Sequence, residues 1–150
     1  MKLTKSKREA LRLKFNGLCA YCGHPLGERW HADHIEHVKR KLEAVIDNGV
    51  YRLRTTDEAH RPERDCLENL NPACAPCNID KHTMSLEQWR ELMQRSHDVI
   101  HRDNATYRRM LRYGLIQEVR EPIVFYFERL AAAAGAACNP ILDRRTASPN

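Results

Sequence analysis

The stretch Leu67-Glu68-Asn69-Leu70-Asn71-Pro72-Ala73-Cys74-Ala75-Pro76-Cys77-Asn78-Ile79-Asp80-Lys81-His82 decides how this chain is read. Its pair Cys74 and Cys77 answers an upstream pair in Cys19-Ala20-Tyr21-Cys22, and its polar residues answer His31-Ala32-Asp33-His34. A chain that returns twice to the same places must fold around them. Zinc prefers four soft ligands in a tetrahedron, and two Cys-x-x-Cys pairs supply them with no coordination position left open. Cys19, Cys22, Cys74 and Cys77 are therefore read as a structural zinc site with no catalytic role. Two unrelated turns, or disulfides, are the competing reading. The 51 residues between Cys22 and Cys74 must form a folded unit that comes back to the site. Cys66 and Cys138 fall outside the pattern and read as ordinary thiols.

Working outward, 150 residues suit one domain with an appended subdomain. Lys+Arg 25 against Asp+Glu 20 gives a net charge of +5, which favours nucleic acid as partner and equally serves solubility. No apolar run is long enough to cross a membrane. The basic start Met1 to Arg8 has no apolar segment behind it, so no signal peptide is expected. A cytoplasmic, reducing compartment is expected, where paired cysteines mean zinc before disulfides.

Thr4 to Asn16 has Leu11, Phe15 and Leu18 at helical spacing and Gly17 as a stop, so residues 1–17 are expected to form a basic helix. Leu18 to Leu26 resembles a zinc knuckle, with Gly23 allowing the turn after Cys22. Trp30 to His37 reads as a strand, and a second strand is expected near Val50 to Leu53. Lys39 to Asp65 carries thirteen Lys, Arg, Asp or Glu among its 27 residues, so it is read as a surface hairpin or long excursion. A helix is expected from Ala75 to about His82. Ser85-Leu86-Glu87-Gln88 has capping-box form and starts another, to about Arg102. Asn104 to Tyr113 reads as a short helix ended by Gly114. Leu115 to Val119 and Ile123 to Glu128 flank Arg120-Glu121-Pro122 as a hairpin, with helix as the alternative. Residues 131–150 read as a frayed tail. The fold class is α+β: a zinc-stapled core over 18–84, with helices and a possible hairpin over 85–130.

Asn78 and His82 are four apart on the expected short helix and project from one face. Cys77 lies about 100° round from Asn78 and can point back to zinc. A hard divalent ion such as Mg²⁺ or Mn²⁺ suits the oxygens of Asp33 and Asn78, and a softer one can recruit the His82 imidazole. His34 can accept a proton from an attacking water, since imidazole exchanges protons near neutral pH. Adjacent strand residues face opposite sides, so the strand must end, bend or bulge at Asp33 and His34 if both are to reach one phosphate.

Cys-x2-Cys, Asp-His-Ile, Asn-Leu and Cys-x2-Cys-Asn with a Lys three beyond together resemble the HNH endonucleases with a ββα-metal core. The resemblance covers about Leu18 to Thr83. It implies His34 as general base, Asp33 and Asn78 as metal ligands, His82 as an added ligand, and Asn69 as the middle Asn that ties the loop. It also implies DNA as substrate, with RNA as an alternative. His37 stands where the family often has Pro, and the usual Gly-Gly turn is replaced by Val38-Lys39-Arg40-Lys41-Leu42. Lys39, Arg40, Lys41 and Lys81 are the candidate phosphate contacts. The competing reading is a zinc-dependent nucleic-acid-binding module without catalysis.

Overall fold

A computed structural model describes residues 2–137. Helix α1 runs over Lys5–Leu13, with Thr4 as N-cap accepting from the Lys7 N–H at 3.3 Å. It ends earlier than expected because Asn16 and Gly17 both take left-handed conformations, φ 53° and 75°. Leu11 is its buried residue, and Lys14 reaches from its end to the Leu70 carbonyl and Asn71 Oδ1, both at 2.9 Å.

The first knuckle follows as a tight loop: the Cys19 N–H donates to the His24 carbonyl at 2.8 Å and the Gly23 N–H to the Cys19 carbonyl at 2.9 Å. Gly23 has φ 76°, and a Cβ there would stand 3.0 Å from the Tyr126 ring, so this position needs glycine twice over.

Strand β1 (Trp30–His34) pairs antiparallel with a later strand that the sequence reading missed. Counting in chain order, that partner is β4 (Leu70–Cys74), not the segment near Val50. Four of its five residues are buried, so it shows no alternation, and Pro72 in its middle disguises it. Pro72 lacks an N–H, but its carbonyl accepts from the Ala20 N–H at 2.9 Å and stitches β4 to the first knuckle. Helix α2 (Ala75–Lys81) starts directly from β4 with Cys74 as N-cap.

Between β1 and β4 the charged excursion is a hairpin, β2 (Arg40–Asp47) with β3 (Val50–Ala59). Asn48 and Gly49 have φ 51° and 76°, the conformation of a two-residue hairpin turn whose twist matches the strands. The expected strand at Val50 to Leu53 is thus part of this separate two-stranded sheet. The ribbon leaves Leu42, Ile46, Tyr51 and Leu53 exposed.

Helix α3 (Leu86–Asp103) begins with the capping box, Ser85 Oγ accepting from the Gln88 N–H at 3.2 Å and Gln88 Oε1 from the Ser85 N–H at 3.0 Å. Helix α4 (Ala105–Arg112) has Asn104 as N-cap and ends before Gly114, φ 67°. The expected hairpin over 115–128 does not form: Leu115 and Val119 are exposed, and helix α5 occupies Tyr126–Ala137. Its start docks on the first knuckle, where the Tyr126 and Phe127 N–H groups donate to the Tyr21 and Ala20 carbonyls, each at 2.9 Å. Helix-start donors that need partners find them there. Ala131 to Ala137 is therefore helix rather than tail, while 138–150, with Cys138, lies outside the described residues.

Among the described residues five α-helices, two short 3-10 turns and two small antiparallel sheets make an α+β fold around one apolar centre. Tyr21 meets Trp89 and Phe125 edge-on at 5.2 and 5.6 Å, and Trp89 stacks on Phe125 at 5.1 Å. Arg90 locks the far side, bonding the Ile123 carbonyl and Glu128, the latter at 2.6 Å. Among the described residues no helix is long and apolar enough to cross a membrane.

Candidate metal centre and the polar cluster beside it

The two knuckles meet. The sulfurs of Cys19, Cys22, Cys74 and Cys77 lie within 4.8 Å of one another, and the Cys22 and Cys74 sulfurs are 3.8 Å apart. A tetrahedron of thiolates about 2.3 Å from zinc has edges of about 3.8 Å, so the group is the size of a zinc site. Cys19 is wholly buried, and its sulfur accepts the Cys74 N–H at 3.4 Å. Hydrogen bonding with Cys77 pulls Cys19 down to about 4, while the same bond and burial push Cys77 far up. Burial also raises Cys22. Four thiolates this close need a central cation before all can lose their protons, and a metal such as zinc fits that demand. Cys66 stands apart as a half-buried thiol.

Asp33 faces inward from β1. Its Oδ2 takes the Tyr21 hydroxyl in a short hydrogen bond and Lys81 Nζ at 3.0 Å. Tyr21 is pushed well above the usual phenol range, first by burial and then by the Asp33 charge. Lys81 is wholly buried, and its ammonium also donates to the His34 carbonyl at 2.7 Å. This corrects the reading of Lys81 as a phosphate contact: it is the internal counter-ion of Asp33, placed by being last in α2. Both of these partners use Oδ2, so Oδ1 is the Asp33 oxygen suited to a cation.

His34 is the last residue of β1, so the strand ends where the geometry required a break. Its Nε2 lies 3.1 Å from Asp65 Oδ1. Asp65 ends the charged excursion, where twelve other Lys, Arg, Asp or Glu residues hid it; nothing in its spacing marks it. Asn69 closes this corner. Its Nδ2 donates to the Glu36 carbonyl at 2.9 Å and the Arg64 carbonyl at 2.8 Å, and its Oδ1 accepts the Glu36 N–H at 2.9 Å. The Arg64–Glu36 ion pair, 2.7 Å, joins the same two segments.

Asn78 is half-buried on α2 and lines an open cleft of about 880 Å³ with Arg8, Arg29, His31 and Ala32. Helix α2 ends at Lys81, and His82 caps it with φ 49°: its N–H still donates to the Asn78 carbonyl at 3.1 Å, but the non-helical backbone turns its side chain off the face that the four-residue spacing had assigned to it. The His82 ring is exposed, with Nδ1 3.1 Å from Thr83 Oγ1. His37 sits in the electrostatic neighbourhood of these groups. Partial desolvation holds it below the usual histidine range, helped by Lys81, His34 and His82.

The basic run is largely committed at home. Arg40 lies 3.8 Å from Asp65 and donates to the Asp57 carbonyl at 2.7 Å, and Lys41 pairs with Glu58 at 2.8 Å. Lys39 is exposed. A carboxylate oxygen, an amide oxygen and an imidazole are donor types that a hard or borderline divalent ion takes, but among the described residues the four cysteines are the group of His, Cys, Asp or Glu that converges on one point. In comparisons with known proteins, no family model, curated protein or solved structure matches the chain.

Proposed function

We infer that this chain is a metal-dependent endonuclease of the HNH type that hydrolyses phosphodiester bonds in DNA. The observation that carries the reading is His34, at a strand end directly after an inward-facing acid, with its ring nitrogen 3.1 Å from a carboxylate. The motif resemblance adds the order of the parts, and the four-cysteine cluster adds a rigid frame beneath them. Asp33, Asn78 and, for a softer ion, His82 would hold a divalent cation. Such a cation, when bound, stabilises negative charge on the phosphate oxygens.

His34 accepts a proton as a water oxygen bonds to phosphorus. The bond from phosphorus to the 3′ oxygen breaks on the opposite side, and that oxygen takes its proton from solvent. The products carry a 5′-phosphate and a 3′-hydroxyl. Asn69 keeps the turn after His34 in place, and Lys81 holds the His34 main chain. A net charge of +5 suits a polyanionic partner.

A second reading has one observation in its favour. Asp33 is already engaged by Tyr21 and Lys81, as it would be in a zinc-dependent nucleic-acid-binding module without catalysis. Supercoiled plasmid and a structured RNA, each incubated with purified chain and Mg²⁺ or Mn²⁺, with and without EDTA, separate the readings. Nicking of plasmid that EDTA abolishes is the expected result. Binding without cleavage of either polymer would establish the module, and cleavage of RNA alone would make this a ribonuclease on the same core.

A further inference from the structure

The partner of His34 lies outside the motif that singled His34 out. We propose that Asp65 is a positioning residue for His34, holding the ring in its Nε2–H tautomer so that Nδ1 is the nitrogen that takes the proton from water. The proposal rests on the nuclease reading given above.

A carboxylate can only accept hydrogen bonds. With Asp65 Oδ1 3.1 Å from Nε2, the proton of the neutral imidazole must sit on Nε2. The lone pair is then on Nδ1, and only that nitrogen can act as base. When Nδ1 gains the proton of the attacking water, the resulting imidazolium keeps its Nε2–H on Asp65, and its positive charge is met by the carboxylate.

The corner is built to hold this pair. Asn69 bonds Glu36 on the His34 side and Arg64 on the Asp65 side, so one amide bridges the two segments. Arg64 and Glu36 repeat the bridge as an ion pair at 2.7 Å. Arg40 approaches the other Asp65 oxygen, Oδ2, at 3.8 Å, while Oδ1 is the oxygen beside the ring. Lys81 fixes the His34 main chain from beneath at 2.7 Å. The ring is thus held at the backbone by one buried ion pair and at Nε2 by another acid. A solvent-facing ion pair that merely tied a loop would contribute little and would not govern which nitrogen carries the proton.

The test uses the full chain and two measurements, plasmid cleavage in Mg²⁺ or Mn²⁺ and the ¹⁵N spectrum of the histidine rings without nucleic acid. Asp65→Asn keeps the shape but offers an amide N–H₂ as well as an oxygen, so it no longer compels Nε2–H. Its kcat should fall by about 10- to 100-fold, within the range of general-base catalysis. KM and Tm should stay close to the parent's, and the His34 signals should leave the Nε2–H pattern. Asp65→Glu should restore part of both the rate and the pattern. An Asp65→Asn variant that cuts at the parental rate overturns the proposal. So does one that loses rate while keeping the Nε2–H pattern, because its defect then lies elsewhere. A parent that cuts neither DNA nor RNA, or a His34→Ala variant as fast as the parent, defeats the nuclease reading and the proposal with it. Failure of Asp65 alone looks different: His34→Ala is slow and Asp65→Asn is not.

Discussion

His34 and Asn78 carry different burdens in the proposed reaction, and their variants should fail differently. His34→Ala removes the base and should slow cleavage by about 10² to 10⁴, with no recovery at saturating Mg²⁺ or Mn²⁺. Asn78→Ala weakens the hold on the ion, so raising the metal concentration should recover part of its rate. A metal titration of both variants checks the split. Lys81 is a residue of another kind. Its charge is wholly buried against Asp33, and removing one member of a buried pair strands the other. Lys81→Met should cost about 3–5 kcal/mol in urea unfolding. Lys81→Met with Asp33→Asn should recover much of that, because the double variant leaves no orphaned charge.

The start of α5 is the element whose placement has the clearest physical cause. Phe125 is 2% exposed and stacked on Trp89, so Phe125→Ala should cost about 3–5 kcal/mol by denaturant melt. Glu128 accepts the Phe125 N–H at 2.8 Å and pairs with Arg90. Burial pushes the Glu128 carboxyl up, but the Arg90 and Phe125 hydrogen bonds outweigh it and hold the group below its ordinary 4.5. A depressed carboxyl stabilises the fold above its unfolded value, and that stability is lost as pH falls from about 4.5 through the folded value. Tm measured from pH 6 down to pH 3 should therefore drop less steeply in Glu128→Gln, from a lower start, than in the parent. The β2–β3 ribbon shows the opposite case, an element formed by its Asn48-Gly49 turn and cross-strand pairing with much of its apolar surface in water.

At the scale of the molecule, the four-cysteine cluster joins segments that 51 residues separate. Without a metal cross-link the ordering entropy of both knuckles has little to offset it in so small a core. Elemental analysis should find one zinc per chain. Cys74→Ser, or prolonged chelation under mild denaturant, should abolish the cooperative melt. Brief EDTA treatment should leave that melt in place while stopping cleavage, since the proposed second ion would be held by fewer protein ligands. A Cys74→Ser protein with a normal melt would remove zinc from the account of the fold.

Some of this protein is legible in residue order alone. Two Cys-x-x-Cys pairs point to a four-cysteine group that could hold a metal such as zinc, because the demand for four thiolates is written in residue type and spacing. The Ser85 and Asn104 caps and the Gly114 stop are likewise local, which is why α3 and α4 appear where their sequences place them. Strand β4 was illegible because burial on both faces erases alternation and Pro72 argues against a strand; only pairing with β1 and the Ala20 bond make it one. Phe125-Tyr126-Phe127 carries no period, and the choice of helix over hairpin came from knuckle carbonyls that offered partners to its first N–H groups. Asp65 reached His34, and Lys81 reached Asp33, across 31 and 48 positions of chain. Side-chain chemistry names which groups can pair, but only the closed fold brings them within hydrogen-bond range and takes away the water that would otherwise satisfy them.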